Sequence, residues 1–219
     1  MPTKKQKKSQ ELPESSKRAT LESRVLKIAL EMAVITKWYD LSLSDVAFRS
    51  GFTLNEVRSS FTDTDAIANA WFENALDTML SQPPKGFELL PVRERMEMLL
   101  LRWFDTLAPH REATISMLRS KFHLPHFQYW GPLIFSLSRH VQLWRDASGL
   151  RAHGRQRRIE EIGLTAVFLA TLAVWCRDTS ESQEQTRKFL HRRLKQGDMF
   201  MTCIYAPYSQ LLSNNQSNK

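Results

Sequence analysis

Cysteine is scarce in this chain. Cys176 and Cys203 are the only two and lack metal-ligand spacing, so neither a disulfide framework nor a zinc site is expected to hold the fold. The six histidines are scattered, and His123 and His126 flank Pro125, which prevents a helical metal pair. There is no Gly-rich phosphate loop and no G-x-S-x-G turn. A Ser-His-Asp triad cannot be inferred from residues that merely coexist. The expectation is therefore a chain that is not an enzyme, with no catalytic residues, no metal and no cofactor. Long apolar runs are missing too. The most apolar stretch, Ile162 to Cys176, falls short of the roughly 20 residues a spanning helix needs. It reads as a buried helix with apolar neighbours on most sides, a subunit interface supplying some of them. The first residues are charged rather than apolar, which fits a reduced, cytoplasmic setting.

What is abundant is positive charge. Lys and Arg number 31 against 23 Asp and Glu, a formal +8 over 219 residues. Such an excess favours an anionic partner, nucleic acid or acidic lipid headgroups, without choosing between them. At 42% hydrophobic residues the chain is long enough for one all-helical molecule of two parts with its own core.

The most informative stretch runs from Leu41 to Ala68. Ser42 or Ser44 can cap a short helix whose apolar positions are Leu43, Val46 and Ala47, and Gly51 stands where that helix must end. Thr53 with Glu56 three residues on forms the reciprocal capping pattern of a second short helix. Val57 and Phe61 then face inward, leaving Leu54, Asn55, Arg58 and Ser59 accessible. Asp63 can cap a longer helix from Thr64. A short exposed helix after a crossing helix and a glycine turn is suited to the DNA major groove.

From Ala29 to Trp71 this order resembles the DNA-binding domain of the TetR family of regulators, carried by Ser42, Leu43, Asp45, Val46, Ala47, Gly51, Thr53, Phe61 and Asp63. The departures are Leu54 and Asn55 in place of a Lys or Arg and a Gly, Arg58 at a habitual Tyr, Ser60 at a habitual His, and Thr64 where a phosphate-binding Lys is common. The resemblance implies an all-α fold: an N-terminal three-helix helix-turn-helix domain, then a helical bundle for ligand binding and dimerisation. The DNA-contacting set it implies is Ser42, Arg49, Thr53, Leu54, Asn55, Arg58, Ser59 and Thr64.

Along the chain, residues 1–19 carry Lys4, Lys5, Lys7, Lys8, Lys17 and Arg18 without an apolar period and read as a disordered basic arm. Thr20 is expected to cap a support helix to Lys37, with Arg24 and Lys27 on its outer side, close to where a phosphate backbone can pass. Trp38, Tyr39 and Leu41 are expected to pack the next connection. The helix-turn-helix domain spans 20–81 and ends at Pro83, Pro84 and Gly86, and the bundle spans 87–196. Within it, Trp103, Phe104, Phe127, Trp130 and Trp144 can either fill the core or line a cavity for a hydrophobic effector. A break is expected near Gly131 and Pro132. Gly149 to Arg158 reads as a basic connection, with an apolar helix from Ile159 to Cys176. Ser180 with Gln183 predicts a capping box for a last helix to Lys195, and residues 197–219 form a tail. The two C-terminal helices suit a symmetric four-helix homodimer interface.

Two segments, Arg102 to Arg119 and Ala173 to Leu194, also look like a bacterial TetR subgroup whose C-terminal part is similar to the lipid-binding accessory protein of ubiquinone biosynthesis. The marks are Trp175, Asp178, Ser180, Thr186, Leu190, Arg192, Arg193 and Leu194. That similarity implies an isoprenoid or acyl lipid in the interior. Two functions stay open at this point. One is a homodimeric repressor of double-stranded DNA that responds to a hydrophobic ligand. The other is a lipid-binding accessory protein on the same fold, with weak or no specific DNA binding.

Overall fold

The computed structural model describes the backbone of residues 14–122 and 130–216, and the side chains of residues 14–120, 139–201 and 203. Most of the basic arm, the side chains of Phe127 and Trp130, and most side chains of the C-terminal tail lie outside the described residues. The helices are α1 (Glu14–Ile35), α2 (Leu43–Ser50), α3 (Leu54–Ser60), α4 (Thr64–Leu80), α5 (Val92–Leu107), α6 (Arg111–Phe122), α7 (Trp130–Ala147), α8 (Gly154–Trp175) and α9 (Glu184–Gln216). No strand occurs among the described residues, in keeping with the all-α class. The chain divides into two units. One comprises residues up to Phe72 together with Glu112–Phe122, the other Glu73–Arg111 and everything from residue 123.

In the first unit, apolar residues three and four apart bring α1 to α3 together. Val25, Ala29, Leu30, Met32 and Ala33 of α1, Val46 and Ala47 of α2 and Val57 of α3 are all buried. The second half of this unit's core comes from far along the chain. Ala113, Thr114 and Met117 of α6 are fully buried; the Trp71 indole N–H donates to Thr114 Oγ1 (2.9 Å) and the Trp38 backbone N–H to Ser116 Oγ (2.9 Å). The prolines at 83 and 84 mark where α4 has ended, whereas the division into units follows what α6 packs against.

Several element limits differ from the sequence expectation. α1 already includes Glu14, and the Thr20 hydroxyl bonds back to Ser16 O (2.8 Å) within the helix instead of capping it. Tyr39 is 63% exposed while Trp38 and Leu41 are buried, so only two of the three pack the connection. α7 is described from Trp130 and runs unbroken through Gly131 and Pro132 to Ala147, so the expected break does not fall at those two residues. α8 starts at Gly154, its basic first turns aligned by Gln156–Glu160 and Arg157–Glu161 pairs one turn apart. α9 continues past Lys195 to Gln216, and Gly197 is not among the glycines with positive φ.

In the second unit, the indole of Trp144 donates to Met96 O (2.8 Å), and Trp103, Phe104, Phe168 and Trp175 form a ring cluster with centroids 5.1–6.5 Å apart. Arg145, 2% exposed, is the polar centre of the α7–α8 connection. Its guanidinium donates to Glu160 Oε2 (3.1 Å), Ala152 O (2.8 Å) and Asp146 Oδ1 (3.1 Å). α8 is not covered all round within one chain: Ile162 is 72% and Leu169 40% exposed, and Ala166 and Ala173 on the same stripe are exposed too. Among the described residues no helix is long and apolar enough to cross a membrane.

Candidate nucleic-acid interface

Two short helices and one turn carry the site. Ser42 caps α2: its Oγ accepts from the Asp45 backbone N–H (3.1 Å) and donates to the Asp45 carboxylate. The helix ends at Gly51, whose φ of 77° is left-handed, a conformation that residues with a Cβ rarely adopt. Its N–H reaches back to Phe48 O (3.2 Å), and the N–H of Phe52 to Ala47 O (3.1 Å). This closes the turn in two residues and throws the chain directly into α3.

At the head of α3 the capping box is complete. Thr53 Oγ1 accepts from the Glu56 N–H (3.3 Å), while Glu56 Oε2 accepts from the Thr53 N–H (2.7 Å) and the Thr53 hydroxyl (2.6 Å). The hydroxyl and then the backbone N–H of Thr53 hold the Glu56 carboxyl below its ordinary value. Val57, 0% exposed, and Phe61, 5%, fix the inner side of the helix. Asp63 Oδ1 accepts from the Ala66 N–H (2.7 Å) and starts α4, where Thr64 is half-buried.

These bonds sort the expected contact residues. Ser42, Thr53 and Ser59 are polar, yet their hydroxyls are spent locally, Ser59 donating to Glu56 O (2.6 Å). Arg49, Leu54, Asn55 and Arg58 are exposed. An arginine, an amide and an aliphatic group can address phosphates, base edges and a thymine methyl in turn. One aromatic was missed by periodicity: Phe48 of α2 is 86% exposed beside Arg49, because it falls off the Leu43–Val46–Ala47 face.

The effector residues are placed differently. Trp103, Phe104 and Trp144 are 3%, 0% and 1% exposed, and Trp103 and Phe104 are joined by Phe168 and Trp175, which the sequence reading had not grouped with them. The Trp175 region is held by polar bonds: the Arg111 guanidinium donates to Trp175 O and lies 5.5 Å over its ring, and the Trp175 indole donates to Gln183 Oε1. Gln183 is thereby taken, and the expected Ser180–Gln183 box does not form. Asp178 caps instead, its Oδ2 accepting from the Thr186 N–H (2.8 Å) and hydroxyl (2.6 Å) and its Oδ1 from the Ser180 N–H (2.9 Å) and hydroxyl. Burial raises the Asp178 pKa, but these four donors outweigh it and hold the carboxyl at about 2.

A pH dependence follows. The folded value lies below the ordinary 3.8, so the stabilisation is present above about pH 4 and is lost as pH falls toward 2. We expect Asp178→Asn to cost about 2 kcal/mol at pH 7, with the gap to wild type closing in urea titrations near pH 2.5. A gap that stays constant over that range would show that the carboxylate's charge is not what stabilises the turn.

A family model described as COQ9 matches residues 157–201, a minor part of the chain that includes Trp175, Asp178, Ser180 and Thr186. No curated protein matches the sequence. Among solved structures, the TetR transcriptional regulator of Nitrosomonas europaea ATCC 19718 is 34% identical over 81% of this chain and 97% of its own, with a TM-score of 0.72. A TetR transcriptional regulator from Rhodococcus sp. RHA1 is 16% identical, covering 82% and 96%, with a TM-score of 0.61. A tetR-family transcriptional regulator from Streptomyces coelicolor is 12% identical, covering 90% and 86%, with a TM-score of 0.59. The latter two share the fold. With the capped helix-turn-helix in place and 34% identity to the Nitrosomonas protein over 81% of its length, the chain belongs to the TetR family of regulators.

Proposed function

We propose that the protein is a homodimeric, DNA-binding transcriptional repressor whose α3 enters the major groove of each half of a palindromic site. The observation that carries this reading is the capped α3, anchored by Val57 and presenting Leu54, Asn55 and Arg58 outward. Arg58 offers a guanidinium for guanine or phosphate, Asn55 an amide for adenine, and Leu54 an apolar surface for a thymine methyl. Arg49 and the basic residues of the N-terminal arm add attraction to phosphates. The uncovered stripe Ile162, Ala166, Leu169 and Ala173 of α8, with α9 beside it, supports dimerisation through the two C-terminal helices. A hydrophobic effector in the second unit would act by binding one spacing of the two heads more tightly than another.

The test is binding of the purified protein to the DNA upstream of its own gene against an unrelated fragment, across a salt series. Preference that survives competitor DNA is expected. Arg58→Ala should then weaken specific binding by about 1–3 kcal/mol. Unchanged specific binding by that variant would remove Arg58 from the reading.

The match of residues 157–201 to COQ9 favours a second reading, a lipid-binding accessory protein on the same fold. Weak binding, equal on both DNA fragments, together with lipid extracted from the purified protein, would replace the first reading with this one.

A further inference from the structure

Among the described residues, two non-glycine residues have positive φ, and they are neighbours: Ser182 (53°) and Gln183 (59°). Both lie in the short 3₁₀ turn Glu181–Gln183 that leads into α9. Left-handed backbone is costly for a residue with a Cβ, so two in succession persist only where the surroundings hold them. Side chains do so here. Gln183 Oε1 accepts from the indole N–H of Trp175, and its Nε2 donates to Asp105 Oδ1 (3.2 Å). Arg187 donates to Ser182 O (2.9 Å) and to the same Asp105 oxygen. The turn is bent into a strap whose one amide reaches a tryptophan that is 0% exposed.

What the strap covers has the chemistry of a ligand's head site. Trp175 stands 5.7 Å from Phe104 in the ring cluster with Trp103 and Phe168, and offers its single N–H donor beside those apolar rings. The half-buried Arg111 guanidinium lies 5.5 Å over the same indole. Its Nε and Nη2 donate to Trp175 O, which leaves Nη1 without a hydrogen bond, and the group without a carboxylate, among the described residues. Asp105, the carboxylate tied to the strap, is answered by Arg187. A donor and a cation next to apolar rings suit a carboxylate at the end of an apolar chain.

We infer that the Ser182–Gln183 strap gates a site for such a ligand, the carboxylate replacing Gln183 at the Trp175 N–H beside Arg111 and the chain lying against the rings. The inference rests on the hydrophobic-effector part of the functional reading and gives that effector an anionic head. Once displaced, Ser182 and Gln183 return to ordinary helical φ and the 3₁₀ turn joins α9, so strain released on opening adds to binding.

The experiment is calorimetric titration of the full chain with dodecanoate and with dodecanol, which share a chain and differ in the head. Wild type should bind dodecanoate more tightly, and Arg111→Gln should bind the two probes alike. Gln183→Ala should bind dodecanoate about fivefold more tightly, because the competitor for the indole is gone. Ser182→Gly should bind it about fivefold more weakly, because glycine removes the strain that opening would release. Thermal melts should move the opposite way, down for Gln183→Ala and level or up for Ser182→Gly. Equal or weaker dodecanoate binding by Gln183→Ala, or wild-type affinity in Ser182→Gly, would overturn the strap. Dodecanol bound by wild type as tightly as dodecanoate would overturn the head site and leave a hydrophobic effector standing. A wild-type chain that binds neither probe overturns both.

Discussion

Arg145→Met should destabilise the protein by about 3–5 kcal/mol, the largest single-residue effect we expect. The side chain is 2% exposed and its partner Glu160 8%, so removing the guanidinium strands a carboxylate away from water. It also frees Ala152 O, which holds the connection into α8. Methionine is close in length, which makes lost volume a small part of the effect. The double variant Arg145→Met, Glu160→Met should recover most of the loss, since a buried pair and a packed apolar pair of similar size differ little in net stability. Urea unfolding of the three proteins tests this. A single-variant loss under about 1 kcal/mol would mean that water or Gln156 satisfies Glu160 unaided.

Leu169→Glu should convert the proposed dimer to monomer and weaken binding to the proposed operator by roughly 10²–10⁴-fold. In the proposed assembly Leu169 and Ala166 of the two chains meet, and two carboxylates brought to a symmetric apolar contact repel each other and lose their water. In the single chain the same position is 40% exposed, so the folded monomer should tolerate the charge. Sedimentation velocity reads the assembly state and anisotropy the affinity. A variant that remains dimeric would move the interface away from this stripe of α8. A monomer that still binds with wild-type affinity would remove the two-headed arrangement from the mechanism.

Local signals made the first unit's helix-turn-helix legible in the sequence. Capping at Ser42, Thr53 and Asp63, the turn at Gly51, and burial of Val57 and Phe61 each depend on neighbours within four residues. What escaped depends on distant partners. The attachment of α6 to the first unit needs Trp71 with Thr114, and the loss of the Ser180–Gln183 box needs Trp175 to claim Gln183. Neither pairing leaves a periodic trace. The start of α1 was misplaced because a threonine can cap a helix or bond backward inside one, and the residue type alone does not decide. In the candidate site, exposure of Leu54, Asn55 and Arg58 follows from helical spacing, but which hydroxyls remain free does not.

The capping box has a consequence for selectivity. Glu56 stands in the first turn of α3, exposed, and its bonds from Thr53 hold its carboxyl below its ordinary value. A helix presented to DNA in this way carries a fixed repulsion beside its attractive groups. On random duplex only the attraction of Arg49 and the other cations to phosphates offsets that repulsion. A site that satisfies Leu54, Asn55 and Arg58 together offsets it. In the proposed complex the same bond that starts the helix would therefore shorten the time spent on wrong sequences, so that discrimination would come from what the surface rejects as well as from what it grips.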